Sequence, residues 1–249
     1  MTVRLFNDDC LKILPTLEEN SIDLFLLDLP YGQTAQTWDS LIDLPQMWLE
    51  LKRVMKPSAV IAFFATAKFG NSIINSNPKW FKYDLVWLKS RKMGFLSANK
   101  MPLRQHENIY IFKNELGTYN PQMTPRDKDY KHSGKRTSET HYGGVIDCKT
   151  EYKKEDGKFP TSVIDLEGTV LEYSNPSKPI HPTQKPVELL EWLIKTYSNE
   201  DDVVCDFTMG SGSTGEACIN TLRHFVGVEM HKEIYEIAEA RLLEVSQCV

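Results

Sequence analysis

The sequence predicts a doubly wound α/β fold, with a mostly parallel sheet, helices on both faces and one irregular insert. Three observations predict it. Short apolar runs recur along the chain, several ending in an acid. Segments with apolar residues at helical spacing alternate with them. Between residues 114 and 178 that alternation stops. Strands alternating with helices build a parallel sheet covered on both sides. The length of 249 residues suits one large domain or a domain carrying an insertion. With 41% hydrophobic and 25% charged residues, the chain is not disordered, collagen-like or a coiled coil.

Ile22–Asp28 is a short apolar run closed by an acid, a proline and a glycine, which predicts a buried strand with a functional loop after it. Leu41, Leu44, Trp48, Leu51 and Met55 then lie at helical spacing, and Pro57 is expected to stop that helix. Val60–Phe64, Tyr83–Leu88 and Glu107–Phe112 read as three further strands. Order resumes near residue 181. Pro186 suits the first position of a helix whose face carries Val187, Leu190, Ile194 and Tyr197. Asp202–Asp206 is a strand ending in an acid, followed by a glycine-rich turn and a helix beginning at Glu216. Phe225–Glu229 is the next strand, again ending in an acid, and a last helix covers about 231–246.

Residues 114–178 are rich in proline, glycine and charge and poor in apolar runs, and they read as an insert that carries recognition, with 126–158 also compatible with a disordered loop. The expected organisation is therefore a first half over 1–113, the insert over 114–178 and a second half over 179–249. The net charge of −5 hides a division: residues 79–136 hold thirteen Lys and Arg against five Asp and Glu. A basic segment on an acidic body can steer a polyanion, although a solvated lysine-rich surface would look the same. No run of about 18 apolar residues is present, so no membrane span is expected. The first residues turn acidic too soon for a secretory signal. Five cysteines without a C-x-x-C argue against a disulfide framework or a zinc site and for a reducing cytoplasm, so the expected location is cytoplasmic and the expected metal content is none.

Strand, acid, glycine turn, helix, strand, acid is the layout of a nucleoside-cofactor site. Glycines let the backbone approach a ligand, a helix start offers N–H groups, and the second acid, Glu229, can accept from ribose hydroxyls. Gly210, Gly212 and Gly215 satisfy G-x-G-x-x-G as a string. They lie four residues beyond Asp206, however, and an acid at the strand end would repel a pyrophosphate. A cofactor with an ammonium group would welcome it, which points to S-adenosylmethionine. Asp28-Leu29-Pro30-Tyr31 places a carboxylate, a backbone carbonyl aimed by proline, and an aromatic ring at the end of a strand. The oxygens can accept hydrogen bonds from an exocyclic NH₂, and the ring can stack on a base for about 1–3 kcal/mol.

These residues resemble a known family. Asp28-Leu29-Pro30-Tyr31 is similar to the D-P-P-Y motif of amino-methylating DNA methyltransferases. Asp206–Thr214 resembles their D-P-F-x-G-S-G-T-T cofactor motif, and His181–Pro186 their H-P-T-Q-K-P segment. The motif order matches the beta group, a circular permutation of the usual chain. Two positions depart from the pattern: Leu29 replaces the first proline, and Phe207-Thr208 replaces Pro-Phe.

The resemblance implies a Rossmann-like methyltransferase fold that uses S-adenosylmethionine and acts on double-stranded DNA. It places Asp28, Leu29, Pro30 and Tyr31 at the target amine. Asp206, Phe207, Gly210, Ser211, Gly212 and Ser213 would line the cofactor's methionine part and Glu229 its ribose. Asp9 and Cys10 would lie against the adenine ring, with Cys10 equally suited to core packing. Thr183 and Lys185 would reach the carboxylate. Lys89, Arg91, Lys92 and Arg104 with His106, and Arg126, Lys128, Lys131, Lys135 and Arg136 in the insert, would meet nucleic acid. Residues 33–40 would form a loop over the substrate, with Trp38 as a wedge or a packed ring. A homodimer and a restriction nuclease on a separate chain are both compatible with this reading. An acid opening the motif leans toward adenine N6, with cytosine N4 as the runner-up. Carbon-5 methylation is disfavoured because no Pro-Cys dipeptide is present. A nicotinamide-dependent oxidoreductase, an inactive DNA-binding module and RNA or protein substrates remain open at this point.

Overall fold

The computed structural model describes residues 1–30, 42–114, 117–138, 144–164 and 184–247, with the backbone alone at residue 91 and over 132–138 and 144–152. Two compact units emerge: residues 1–120 with 162–249, and residues 121–161.

The first unit carries an eight-stranded sheet. In chain order its elements are β1 (Val3–Phe6), α1 (Cys10–Ile13), β2 (Ile22–Leu27), α2 (Leu44–Val54), β3 (Met55–Ala65), α3 (Ala67–Ser76), β4 (Phe81–Met93) and β5 (Arg104–Phe112). The second unit holds β6 (Tyr130–Ser138) and β7 (Gly144–Tyr152). The first resumes with β8 (Val163–Ile164), α4 (Val187–Tyr197), β9 (Val203–Asp206), α5 (Ser213–Asn220), β10 (His224–Val228) and α6 (Lys232–Ser246). The strand order is β1-β10-β9-β2-β3-β5-β4-β8. Within it β5 runs against both neighbours, and the other pairings are parallel.

Side-chain alternation on the central strands explains the two helical layers. Ile22, Phe25 and Leu27 of β2, with Ile61 and Phe63 of β3, join one core with Trp48 and Leu51 of α2 and Ile73 of α3. Leu24 and Leu26, with Val60, Ala62 and Phe64, join a second core with Leu190 and Ile194 of α4, Cys218 of α5 and Leu242 of α6. Adjacent residues point to opposite faces, so a continuous apolar run is the pattern of a strand covered on both sides. Burying these side chains is the main force holding the layers together, at about 25 cal/mol per Å² of apolar surface.

Several boundaries differ from the sequence reading. Asp43 caps α2, which ends at Val54, and β3 begins at once at Met55 and runs through Pro57. Pro57 therefore lies in a strand instead of ending a helix. Pro186 is the cap before α4, not its first residue. The glycine turn passes straight into α5 at Ser213, three residues earlier than expected. β1 and α3 were not read from the sequence: β1 is only four residues long, and the buried face of α3 rests on just Phe69, Gly70 and Ile73. In the second unit, β6 and β7 pair antiparallel from Tyr130↔Tyr152 to Ser138↔Gly144, so this stretch forms a regular ribbon where an irregular segment was expected. Among the described residues, no helix is long and apolar enough to cross a membrane.

Candidate active site

The sheet order creates a crevice between β9 and β2. The two strands are parallel neighbours, with Leu24 opposite Val204 and Phe25 opposite Cys205. After β9 the chain crosses through α5 to β10 on one side; after β2 it crosses through α2 to β3 on the other. Open α/β sheets bind ligands where connections diverge in this way, at the carboxyl ends of the strands. Asp206 closes β9 and Asp28 follows β2, so the two acids flank that point, close enough for the Asp28 charge to act on Asp206. Leu29 is buried in the core, which fixes the backbone that presents Asp28 and the Leu29 carbonyl.

Asp206 is 5% exposed. One carboxylate oxygen accepts from Thr214 Oγ1 at 2.6 Å and the other from the Thr208 amide at 3.1 Å. Burial nevertheless pushes its pKa up to about 7, with a smaller contribution from Asp28. The turn after it needs left-handed backbone at Gly210 (φ +52°) and Gly212 (φ +80°), which only glycine adopts without strain. Gly212 is also the cap of α5 and supplies no side chain, so the first N–H groups of that helix lack a side-chain cap. Glu229, just beyond β10, accepts from the Gly210 amide at 3.2 Å and from the His231 amide at 2.8 Å. Each of its oxygens keeps a second lone pair. The acid thus ties the turn to the neighbouring strand end.

Lys185 lies between two acids. Its ammonium pairs with Asp28 Oδ2 in a short hydrogen bond, lies 3.6 Å from Glu107 Oε1, and sits over the Phe64 ring at 5.0 Å. Glu107 Oε2 in turn pairs with Lys89 Nζ at 2.5 Å, and Lys89 lies over the Trp87 ring at 4.8 Å. Burial by itself would push the Lys185 ammonium down, but Asp28 and Glu107 outweigh it and the pKa is raised. Burial likewise opposes ionisation of Glu107, and Lys185 with Lys89 holds its carboxyl below the usual range. The four groups form a charged chain along the carboxyl edge. Lys185, read from the sequence as a cofactor contact, and Lys89, read as a nucleic-acid contact, are both engaged in these pairings, where opposite charges this close attract strongly.

Asp9 caps α1 by accepting from the Leu11 amide at 2.9 Å, and Cys10 packs in the core with its thiol pushed up to about 12 by burial. Phe207 is spent on the core, edge-on to Phe25 at 6.3 Å. Ser211 and Ser213 face Arg241, which the sequence reading did not single out. Its Nη1 donates to the Ser211 carbonyl and to Ser213 Oγ, each at 3.1 Å, and its Nε pairs with Glu216 at 2.6 Å. With the Gln184 amide turned to present its oxygen, Arg241 also donates to it at 3.0 Å. Arg241 thus pins the start of α5 to the segment before α4. A lone arginine in a final helix carries no signal of this role.

Lys92, Arg104 and His106 are exposed on or next to the β4–β5 connection, which also exposes Phe95 and Leu96. Arg91 is described by its backbone alone. In the second unit, Lys128 and Lys131 are exposed, whereas Arg126 donates to the Gly157 carbonyl at 3.0 Å. Lys135 and Arg136 lie in β6. Tyr31, residues 33–40 with Trp38, and Thr183 lie outside the described residues.

A carboxylate at the crevice beside an acid-closed glycine turn now has an independent comparison. The family model described as DNA methylase, for N6 and N4 amino methylation, matches residues 22–240. The chain belongs to this DNA methylase family. It is an amino-methylating DNA methyltransferase. It is 29% identical to the type II methyltransferase M.HpaI of Haemophilus parainfluenzae, over 97% of this chain and 74% of that one. It is 25% identical to the type II methyltransferase M.HinfI of Haemophilus influenzae, over 97% and 68%. Among solved structures, the methylase fold matches the M1.HpyAVI–SAM complex with a TM-score of 0.64 and 21% identity, over 97% of this chain and 99% of that one. It matches the cytosine-N4-specific PvuII DNA methyltransferase with a TM-score of 0.62 and 16% identity, over 99% and 92%.

Proposed function

We propose that this DNA methylase transfers a methyl group from S-adenosylmethionine to the N6 amino nitrogen of adenine in double-stranded DNA. The observation that carries the reading is the pairing of Asp28 and Asp206 at one crevice. One acid is exposed enough to meet an amine; the other is buried at the head of a glycine turn. The acid that opens the Asp28-Leu29-Pro30-Tyr31 motif supports adenine over cytosine N4.

The residues at the glycine turn fit S-adenosylmethionine. Asp206 is buried without a cation among the described residues, and a ligand ammonium would favour its ionised form. Glu229 retains lone pairs for ribose hydroxyls. Gly210 and Gly212 would let the ligand approach the backbone, and Asp9 would close the far side of the site. When bound, the cofactor supplies a methyl on a cationic sulfonium, which leaves as a neutral thioether. The base must leave the duplex before its amine reaches that carbon. Asp28 and the Leu29 carbonyl then accept the amine hydrogens and turn the nitrogen lone pair toward the methyl. Pro30 holds the carbonyl in place, and Tyr31 stacks on the ring. As nitrogen gains the methyl it sheds one proton, and Asp28 is the nearest carboxylate to take it. Positioning and field supply most of the acceleration, so Asp28 need not be a strong base.

The exposed Lys92, Arg104, Lys128 and Lys131 are suited to phosphates, which fix register without reading sequence. Two relatives carry the name type II methyltransferase, which supports a role beside a restriction nuclease on a separate chain. The test is incorporation of labelled methyl into mixed-sequence duplex DNA, followed by nucleoside digestion. N6-methyladenine is expected. N4-methylcytosine would move the reading to the other amine, and no incorporation would end it. Asp28→Ala should cost about a hundredfold or more in rate while the cofactor still binds. A parallel loss of cofactor affinity would contradict the role given to Asp28.

A further inference from the structure

We propose that Glu107 is a positioning residue: it gives the Lys185 ammonium a second seat, so that Asp28 can offer its acceptor oxygen to the incoming amine. This rests on the reading of Asp28 as the amine acceptor.

The competition follows from the contacts. Lys185 Nζ donates to Asp28 Oδ2. An exocyclic amine is also a donor and needs the same carboxylate. An ammonium held tightly on Asp28 would neutralise the carboxylate's field and oppose the positive charge that develops on the nitrogen during transfer. Glu107 offers the way out. Its Oε1 is 3.6 Å from the same ammonium, and closing that gap to about 2.8 Å makes a full charge-assisted hydrogen bond. The ammonium already lies between the two carboxylates, and seating it on Glu107 lengthens its bond to Asp28 and shifts its charge toward Glu107.

The seat is also preformed. Glu107 lies on β5, opposite Trp87 of β4, one pair before the register of that ladder shifts. Lys89 holds its other oxygen at 2.5 Å. Lys89 is itself steadied over the Trp87 ring. The Glu107 carboxylate is thereby fixed with one oxygen toward Lys185. The buried Phe64 ring under the ammonium favours a cation on its face, whichever acid it leans toward. Lys185 reaches this place from the residue before the cap of α4, and Glu107 from an antiparallel strand, so neither belongs to the glycine turn.

The experiment compares single-turnover methyl transfer to duplex DNA by the full-length protein and three variants: Glu107→Gln, Lys185→Met and the double substitution. Glu107→Gln keeps the shape and removes the second seat. Its rate should fall by about tenfold or more, while its affinity for S-adenosylmethionine stays within about twofold. Adding Lys185→Met to Glu107→Gln removes the competitor, and the double variant should be faster than Glu107→Gln. A merely structural Glu107 predicts instead that the loss in Glu107→Gln, and any recovery in the double variant, follow melting temperature and cofactor affinity, which are read in parallel; here the rate should move while both stay near wild type. An unchanged rate in Glu107→Gln, or a double variant no faster than it, overturns the proposal. Glu107→Asp keeps the charge and should fall between wild type and Gln. If Glu107→Gln does not bind the cofactor, the same comparison is made on Glu107→Asp. Wild type that methylates no amine, or Asp28→Ala at full rate, would instead refute the underlying reading of Asp28, so the two failures are told apart.

Discussion

Asp206 makes the stability of this methylase depend on pH in an unusual direction. Its carboxyl is buried, and burial lifts its pKa from the ordinary aspartate value near 3.8 to about 7. Between those values the unfolded chain has lost the proton and the folded chain keeps it. Stability then falls as pH rises, and levels off once the folded group ionises. Each pKa unit is worth about 1.4 kcal/mol, so the cost at high pH approaches about 4 kcal/mol. About 3 kcal/mol of it accrues between pH 5 and 8. Asp206→Asn keeps the shape and cannot ionise. Its melting temperature relative to wild type should therefore climb from pH 5 to pH 8, by up to about 6–12 °C for a chain of this size. The figure is an upper bound, because the hydrogen bonds from Thr214 and Thr208 adjust to the amide. Thermal melts of both proteins at four pH values read the effect directly. A difference in melting temperature that does not change with pH would refute burial as the source of the shift. The same substitution should weaken S-adenosylmethionine binding, so the stabilised protein is the poorer binder.

Other expectations follow from the same contacts. Arg241→Met strips donors from Ser211, Ser213 and Glu216; it should cost about 1–3 kcal/mol and weaken cofactor affinity without touching the cofactor, as calorimetry at fixed temperature can show. Gly215→Ala would place a Cβ 2.7 Å from Leu242 Cδ1 and 2.8 Å from Phe225 Cε1, so overpacking between α5, α6 and β10 should lower stability by about 1–3 kcal/mol in a denaturant titration. DNA affinity should fall at least about tenfold between 50 and 200 mM salt. A flat salt profile would remove phosphate contact from the exposed lysines and arginines.

Most of the central sheet was legible because its signal is local. β2 is a run of apolar residues with an acid after it, and such a run suits a strand buried on both faces whatever its neighbours are. β9, the glycine turn, β10 and α4 announce themselves in the same way. The ribbon of β6 and β7 did not. Its residues are mostly polar and charged, and its few apolar ones, Val145, Ile146 and Cys148, set no regular period, so the hairpin carries no strand signal although its partners lie near one another in the chain. Pro57 misled for a related reason: proline forbids a helix but tolerates the start of a strand.

The chemistry divides along the same line. Asp28, Asp206, Gly210, Gly212 and Glu229 could be singled out in advance because each belongs to a short motif at a strand end, where a left-handed turn asks for glycine and the acids close the strands or follow directly on them. What Lys185 touches could not. Its partner Asp28 is 157 residues away in the chain, and Glu107 and Phe64 come from two further strands. A hexapeptide can say that a lysine is needed; which carboxylates it meets is decided by strand order and register. Arg241 and Glu107 show the same limit, since a single charged side chain acquires its role only when the packed sheet brings an opposite charge within hydrogen-bond reach.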